Sequence, residues 1–219
     1  MTSRTPPAGR AERDGNTERR ILDAARIVFV RRGTAGARMQ EIAEEAGVNQ
    51  ALLHYYFRSK DRLATTVFQE AAGRLIPAIL RVLRSEATLE QKIEQFVHAY
   101  IDNVRQNPFL PGYLVAEMQH HPERLTALLG QAAGGELPQL AQAFLVRLAA
   151  QLAERAAVGT MRPIAPEQFL VNLLGLVVIP FVARPVLLDV LGMDEAAFGR
   201  FLDARRRELP GFILAALRP

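Results

Sequence analysis

The residues with the most chemistry to offer lie between Arg38 and Arg62, in the run RMQEIAEEAGVNQALLHYYFRSKDR. At ~100° per residue, a helix over this stretch sets Leu52, Leu53 and Tyr56 on one side and Gln50, Ala51, His54 and Tyr55 on the other. The second face is polar, partly aromatic and free of carboxylates, where an ordinary solvated helix would show Glu or Arg. A carboxamide such as that of Gln50 can donate to and accept from adenine in a major groove, and Ala51 can touch a thymine methyl. His54, Tyr55 and Lys60 can donate to phosphate oxygens, and Asn49 is placed as an N-cap. This is chemistry of duplex recognition rather than of bond making.

Such a face needs elements that hold it. Two short helices, about Arg38 to Ala46 and Gln50 to Tyr56, flank the turn Ala46-Gly47-Val48-Asn49. Gly47 supplies a positive φ at the turn, where a side chain would clash. Ala43, four residues earlier, is small where the helices cross, and Leu53, six residues later, buries against Ile42, Val48 and Phe57. Small residue, glycine and apolar residue at these offsets specify a helix-turn-helix. Ahead of it Ile21, Leu22, Ala25, Val28 and Phe29 recur at helical spacing, and Gly33 stops that helix.

Charge falls where a phosphate-binding surface would want it. Residues 1–62 hold twelve Arg and Lys against eight Asp and Glu, while the rest of the chain is balanced, so the net +4 belongs to this region. The absence of cysteine removes disulfides, thiol nucleophiles and thiolate metal sites, and suits a reducing cytosol. No apolar run marks the first twenty residues as a signal, and the longest one, Leu173 to Ala183, is too short for a span. The expectation is a cytoplasmic protein without membrane contact. None of the three serines (Ser3, Ser59, Ser85) lies in a nucleophile elbow, and phosphate loops and dinucleotide fingerprints are missing, so no enzyme is expected.

Residues 1–15 hold little to bury and are expected to be a disordered basic tail, either solubilising or reaching a minor groove through Arg4, Arg10 and Arg13. From Asn16 the pattern is helical throughout, so the fold class is all-α. Residues 16–58 are expected to form the DNA-binding domain, and a helix from Ser59 to about Arg84, bent at Pro77, opens a larger bundle over 59–219. Further helices are expected near 88–106, 108–120, 122–133, 136–158, 165–191 and 194–217, with Pro180, Pro185 and Pro210 kinking or splitting the last two.

The segment GVNQALLHYYFRSKDRL closely resembles the DNA-binding signature of the tetracycline-repressor (TetR) family of bacterial regulators. The aromatic run Tyr55-Tyr56-Phe57 and the pair Ser59-Lys60 match that signature, and the similarity covers roughly Thr17 to Leu63. Many relatives carry Thr-Leu-Tyr where this chain has Leu52-Leu53-His54, which removes hydroxyl contacts to phosphate and gives His54 the place of a tyrosine. The resemblance implies that Arg38 and Lys60 anchor phosphates, that Asn49, Gln50, Ala51 and His54 face base edges, and that Tyr55 rests on the backbone. It implies a homodimer on an inverted-repeat operator of double-stranded DNA. It also implies a small-molecule effector in the C-terminal domain, with repression as the default and activation as the alternative.

Within that domain Phe96, Tyr100, Phe109, Tyr113, Met118 and Phe144 are candidates to line a ligand pocket, as apolar pockets with a few polar groups are built. Aromatic and Met residues at such spacing are more often plain core. The apolar run at 173–183 and its extension make Leu174, Val178, Phe181 and Leu187 candidates for a dimer interface, the alternative being a helix buried inside the monomer. Glu117 and His121 share a helical face but do not complete a metal site, so neither metal nor cofactor is expected.

Overall fold

The computed structural model describes residues 8–134 and 137–219, and the elements among them are all helices. In chain order they are α1 (Ala8–Gly36), α2 (Met39–Ala46), α3 (Gln50–Tyr56), α4 (Lys60–Arg84), α5 (Leu89–Gln106), α6 (Leu110–His120), α7 (Pro122–Ala132), α8 (Leu137–Ala157), α9 (Pro166–Val182), α10 (Arg184–Val190) and α11 (Glu195–Ala216). Two compact units result, one ending at Ala71 and one beginning at Ala72.

Two expectations are corrected in the first unit. The tail does not run to residue 15: α1 begins at Ala8, because Ala8, Ala11, Glu12 and the flanking arginines are good helix formers even without an apolar stripe. Residues 1–7, with Arg4, lie outside the described residues. The unit also ends inside α4 rather than at Ser59. Leu63, Ala64, Val67, Phe68 and Ala71 of α4 are buried at helical spacing, and Glu70 pairs with Arg26 of α1. Gly33 stops regular α1 geometry as expected, at φ 67° and ψ 166°.

The second unit is built around α5. Its start is a capping box, in which Thr88 Oγ1 accepts from Gln91 N–H at 3.3 Å and Gln91 Oε1 accepts from Thr88 N–H at 3.1 Å. Leu89, Ile93, Phe96, Val97, Tyr100, Ile101 and Val104 form its buried stripe. α11 packs along α5, fastened by the two-pronged Arg206–Asp102 pair at 2.9 and 3.1 Å and by Arg105–Asp203 at 2.7 Å. Pairs this exposed add little stability each.

Only one of the three C-terminal prolines coincides with a break. Pro185 lies in the first turn of α10, where its missing N–H is harmless. Pro180 and Pro210 sit inside continuous α9 and α11. Proline cannot donate to the carbonyl four residues back, so Leu176 and Arg206 lose that partner. The Leu176 carbonyl instead accepts from Arg205 Nη2 at 2.5 Å, and the Arg206 carbonyl lies 3.1 Å from His98 Nε2, which as the N–H tautomer donates to it. Each freed carbonyl is thus met by a side chain from a neighbouring helix. No single described helix is long and apolar enough to cross a bilayer; α9 and α10 qualify only together, and they bend by 65° at their junction.

Candidate nucleic-acid interface

The turn between α2 and α3 is closed by backbone geometry that Gly47 permits. Gly47 stands at φ 62° and ψ 38°, its N–H reaches the Glu44 carbonyl at 3.1 Å, and Val48 N–H reaches the Ala43 carbonyl at 3.0 Å. These two bonds make a Schellman end to α2. Arg20 of α1 then clasps the turn from outside, donating through Nη2 to the carbonyls of Ala46 at 2.6 Å and Gly47 at 3.2 Å. A Cβ on Gly47 would be strained by the positive φ and would crowd that same nitrogen at 3.0 Å, so a side chain there would loosen the Arg20 clasp. Sequence reasoning missed Arg20, since nothing local separates it from Arg19.

Across α3 the outward set is exposed as expected: Asn49, Gln50, Ala51, His54 and Tyr55 all face solvent. Tyr55 is 77 % exposed, with Tyr56 edge-on to it at 5.4 Å. Leu53 is fully buried, but Leu52 is 36 % exposed and does not belong to the inner side. A helix of two turns has room for one residue pointing straight at the core, and Leu52 stands ~100° away from Leu53. Asn49 caps the helix through Oδ1, which accepts from Leu52 N–H at 2.7 Å. Its amide NH₂ is what remains for another partner.

The flanking cations divide into two kinds. Arg38, at the N-cap of α2, and Arg58, between α3 and α4, are exposed and have no partner among the described residues. Arg58 was not singled out from the sequence, although it stands beside the matching Ser59-Lys60 pair. Lys60 is half-buried and already engaged: Nζ donates to the carbonyls of Ala35 at 2.9 Å and Ala37 at 3.2 Å. It therefore ties the start of α4 to the end of α1, keeping one of its three N–H bonds for a further acceptor.

Residues 21–67, which contain all of this arrangement except Arg20, match the family model described as bacterial regulatory proteins, tetR family. This segment is a TetR-type DNA-binding sequence. The chain is 36% identical over 106 residues to the transcriptional activator FasR of Mycolicibacterium smegmatis, covering 46% of this chain and 48% of that protein. It is 29% identical over 131 residues to the transcriptional repressor NicS of Pseudomonas putida, covering 57% of this chain and 62% of that one. The chain thus spans about half to three-fifths of the length of these curated relatives. Among solved structures, the hemolysin II regulator HlyIIR matches 94% of this chain and 99% of its own with a TM-score of 0.59 at 22% identity, a likeness of fold.

In the second unit the residues expected to line a pocket are not all inside. Phe96, Tyr100, Phe109 and Tyr113 are buried and Phe144 is half-buried, but Met118 is 53 % exposed and faces away from any interior. Phe96 and Phe144 border one apolar cavity of about 20 Å³. Tyr100 stacks on Phe96 at 6.3 Å and meets Phe181 edge-on at 5.9 Å. Burial pushes its phenol well above the ordinary tyrosine range.

The interface candidates also divide. Leu174 is exposed, and Val178 and Leu187 are half-buried. Phe181 is only 5 % exposed and packs on Tyr100, so it belongs to the core of its own unit. Sequence alone could not say which side of so apolar a helix turns inward. Phe169, Leu173, Val177 and Phe181 form the inward side, leaving Val171, Leu174 and Ile179 on α9, Val186 and Val190 on α10, and Phe212 on α11 exposed.

Proposed function

We propose that this chain is a TetR-family, sequence-specific DNA-binding transcriptional regulator, acting as a cytoplasmic homodimer on an inverted repeat and released from it by a small molecule. The observation that carries this is the exposed, carboxylate-free face Gln50, Ala51, His54 and Tyr55, flanked by the unpaired Arg38 and Arg58. Gln50, Ala51, His54 and the amide of Asn49 read base edges; Arg38, Tyr55 and the remaining proton of Lys60 hold phosphates. Arg58 joins the second group.

Dimerisation is supported by the exposed apolar residues of α9 and α10, which are poor solvent-facing surface in a monomer. Effector release is supported by α4, a single helix shared by both units, because a ligand that changes its tilt moves the reading head. Couplings of this kind are typically ~1–3 kcal/mol.

The deciding experiment is footprinting of the purified protein on DNA around its own gene, repeated across a salt series. Protection of an inverted repeat is expected. For six or more phosphate contacts, affinity should fall by roughly 10³-fold or more between about 50 and 200 mM salt. A salt-independent affinity would overturn the electrostatic part of the reading. Repression, as by the transcriptional repressor NicS, is the favoured outcome and requires the repeat to overlap the promoter. A repeat lying wholly upstream would favour activation, as by the transcriptional activator FasR.

A further inference from the structure

The chain has only two lysines among twenty-seven basic residues, and neither is a free surface cation. Lys60 is engaged by carbonyls. Lys92, on α5, is 8 % exposed, and its one partner among the described residues is the neutral Oε1 of Gln151, at 3.3 Å. Gln151 is oriented by its own NH₂, which donates to the Ala87 carbonyl at 3.1 Å. The nearby carboxylate of Glu90 is engaged by Arg155 at 2.6 Å. A buried ammonium without an anion is unfavourable, and two of its three donors are left for another acceptor.

Lys92 also borders the apolar cavity, together with Ile93, Phe96, Phe144, Phe169 and Leu173. One and two turns further along the same face of α5 come Phe96 and Tyr100, at i+4 and i+8, with their rings stacked. The Tyr100 hydroxyl is buried and lacks a hydrogen-bond partner among the described residues, which is again unfavourable. The face therefore runs cation, aromatic ring, orphan hydroxyl, over ~12 Å of helix.

We propose that this stripe is the floor of the effector site and that it takes an elongated amphipathic carboxylate, its head on Lys92, its chain against Phe96 and a polar group at Tyr100. The proposal rests on the bundle being an effector domain and names the chemistry of its ligand. At about 20 Å³ the cavity holds a single small group, so the side chains around it must part as the chain enters. Phe144, half-buried on α8, is the ring best placed to yield.

The test is calorimetric titration of the full chain with decanoate, decanol and ω-hydroxydecanoate, each followed by operator binding with the same probes. Decanoate should bind at least ~10-fold more tightly than decanol, the scale of one charge-assisted hydrogen bond. Lys92→Met should abolish that preference and Lys92→Arg should keep it. Tyr100→Phe should abolish any preference for ω-hydroxydecanoate over decanoate. Replacing a buried charge by an apolar chain of similar length preserves folding, which a thermal melt checks; Lys92→Gln serves if the Met variant melts early. Equal binding of decanoate and decanol, or a preference unchanged by Lys92→Met, would overturn the site. Release from the operator by other molecules, without decanoate binding, overturns the site but leaves effector release standing. Lys92-dependent decanoate binding that never alters operator affinity does the reverse.

Discussion

Arg205 donates to the carbonyl that Pro180 leaves without its helical partner, so a side chain of α11 completes the hydrogen bonding of α9. Arg205 is also desolvated there and lies over the Phe201 ring, 5.7 Å from its centroid. Arg205→Met should destabilise the chain by ~1–3 kcal/mol, the range for leaving a buried acceptor unmade. In a Pro180→Ala background the restored N–H reaches the same carbonyl, so the same change should cost distinctly less. Denaturant unfolding of the four proteins in a double-mutant cycle measures this. Equal losses in both backgrounds would mean that the bond contributes nothing.

Lys60 should behave as a brace first and a phosphate contact second. Lys60→Met removes two bonds to the carbonyls of Ala35 and Ala37. A loss of about 1–2 kcal/mol is expected even without DNA. Binding to cognate and scrambled duplexes should weaken alike. A variant that melts like the parent would show that the ammonium is free in solution.

Gln50 and Arg38 should separate reading from holding. Gln50→Ala should lose ~1–3 kcal/mol on the cognate operator and much less on unrelated DNA. Arg38→Ala should weaken both, and lower the salt slope by about one unit per phosphate contact removed. Both side chains are exposed, so neither change should alter the melting temperature. Equal losses on the two duplexes for Gln50→Ala would put the reading face elsewhere on α3.

For the dimer, Ile179 is a sharper probe than Phe181. Ile179 is 58 % exposed and Phe181 is 5 % exposed. Ile179→Asp should leave the fold intact but favour monomers, because a charge buried between subunits without a partner costs several kcal/mol. Phe181→Ala should instead lower stability by ~3–5 kcal/mol through the cavity it leaves. Light scattering together with thermal melts distinguishes the two outcomes. A parent protein that is monomeric at all concentrations would remove the interface altogether.

Much of this was legible in the sequence wherever the determinant is local. Gly33 and Gly47 act on their immediate neighbours, and the helix ends fall beside them. The face of α3 was legible because one buried leucine fixes the wheel. Where the sequence misled, the deciding partner was distant. Pro180 and Pro210 were expected to kink or split helices, yet α9 and α11 run on through them, because Arg205 and His98 arrive from other elements to meet the freed carbonyls. Lys60 looked free because Ala35 and Ala37 lie more than twenty residues earlier. Phe181 and Met118 were misplaced because a helix apolar on most sides gives no local clue to its inner face.

The clasp that Arg20 places on the Ala46-Gly47 turn sets a limit on modularity. A graft that moves only residues 38–58 into another regulator leaves behind the guanidinium that sets the pitch of α3 against α2. Such a chimera would carry the side chains proposed to read bases at a slightly wrong angle, and should keep general affinity for DNA while blurring its choice of sequence. The smallest portable reader therefore starts at Arg20, in a helix that contributes nothing to the exposed face.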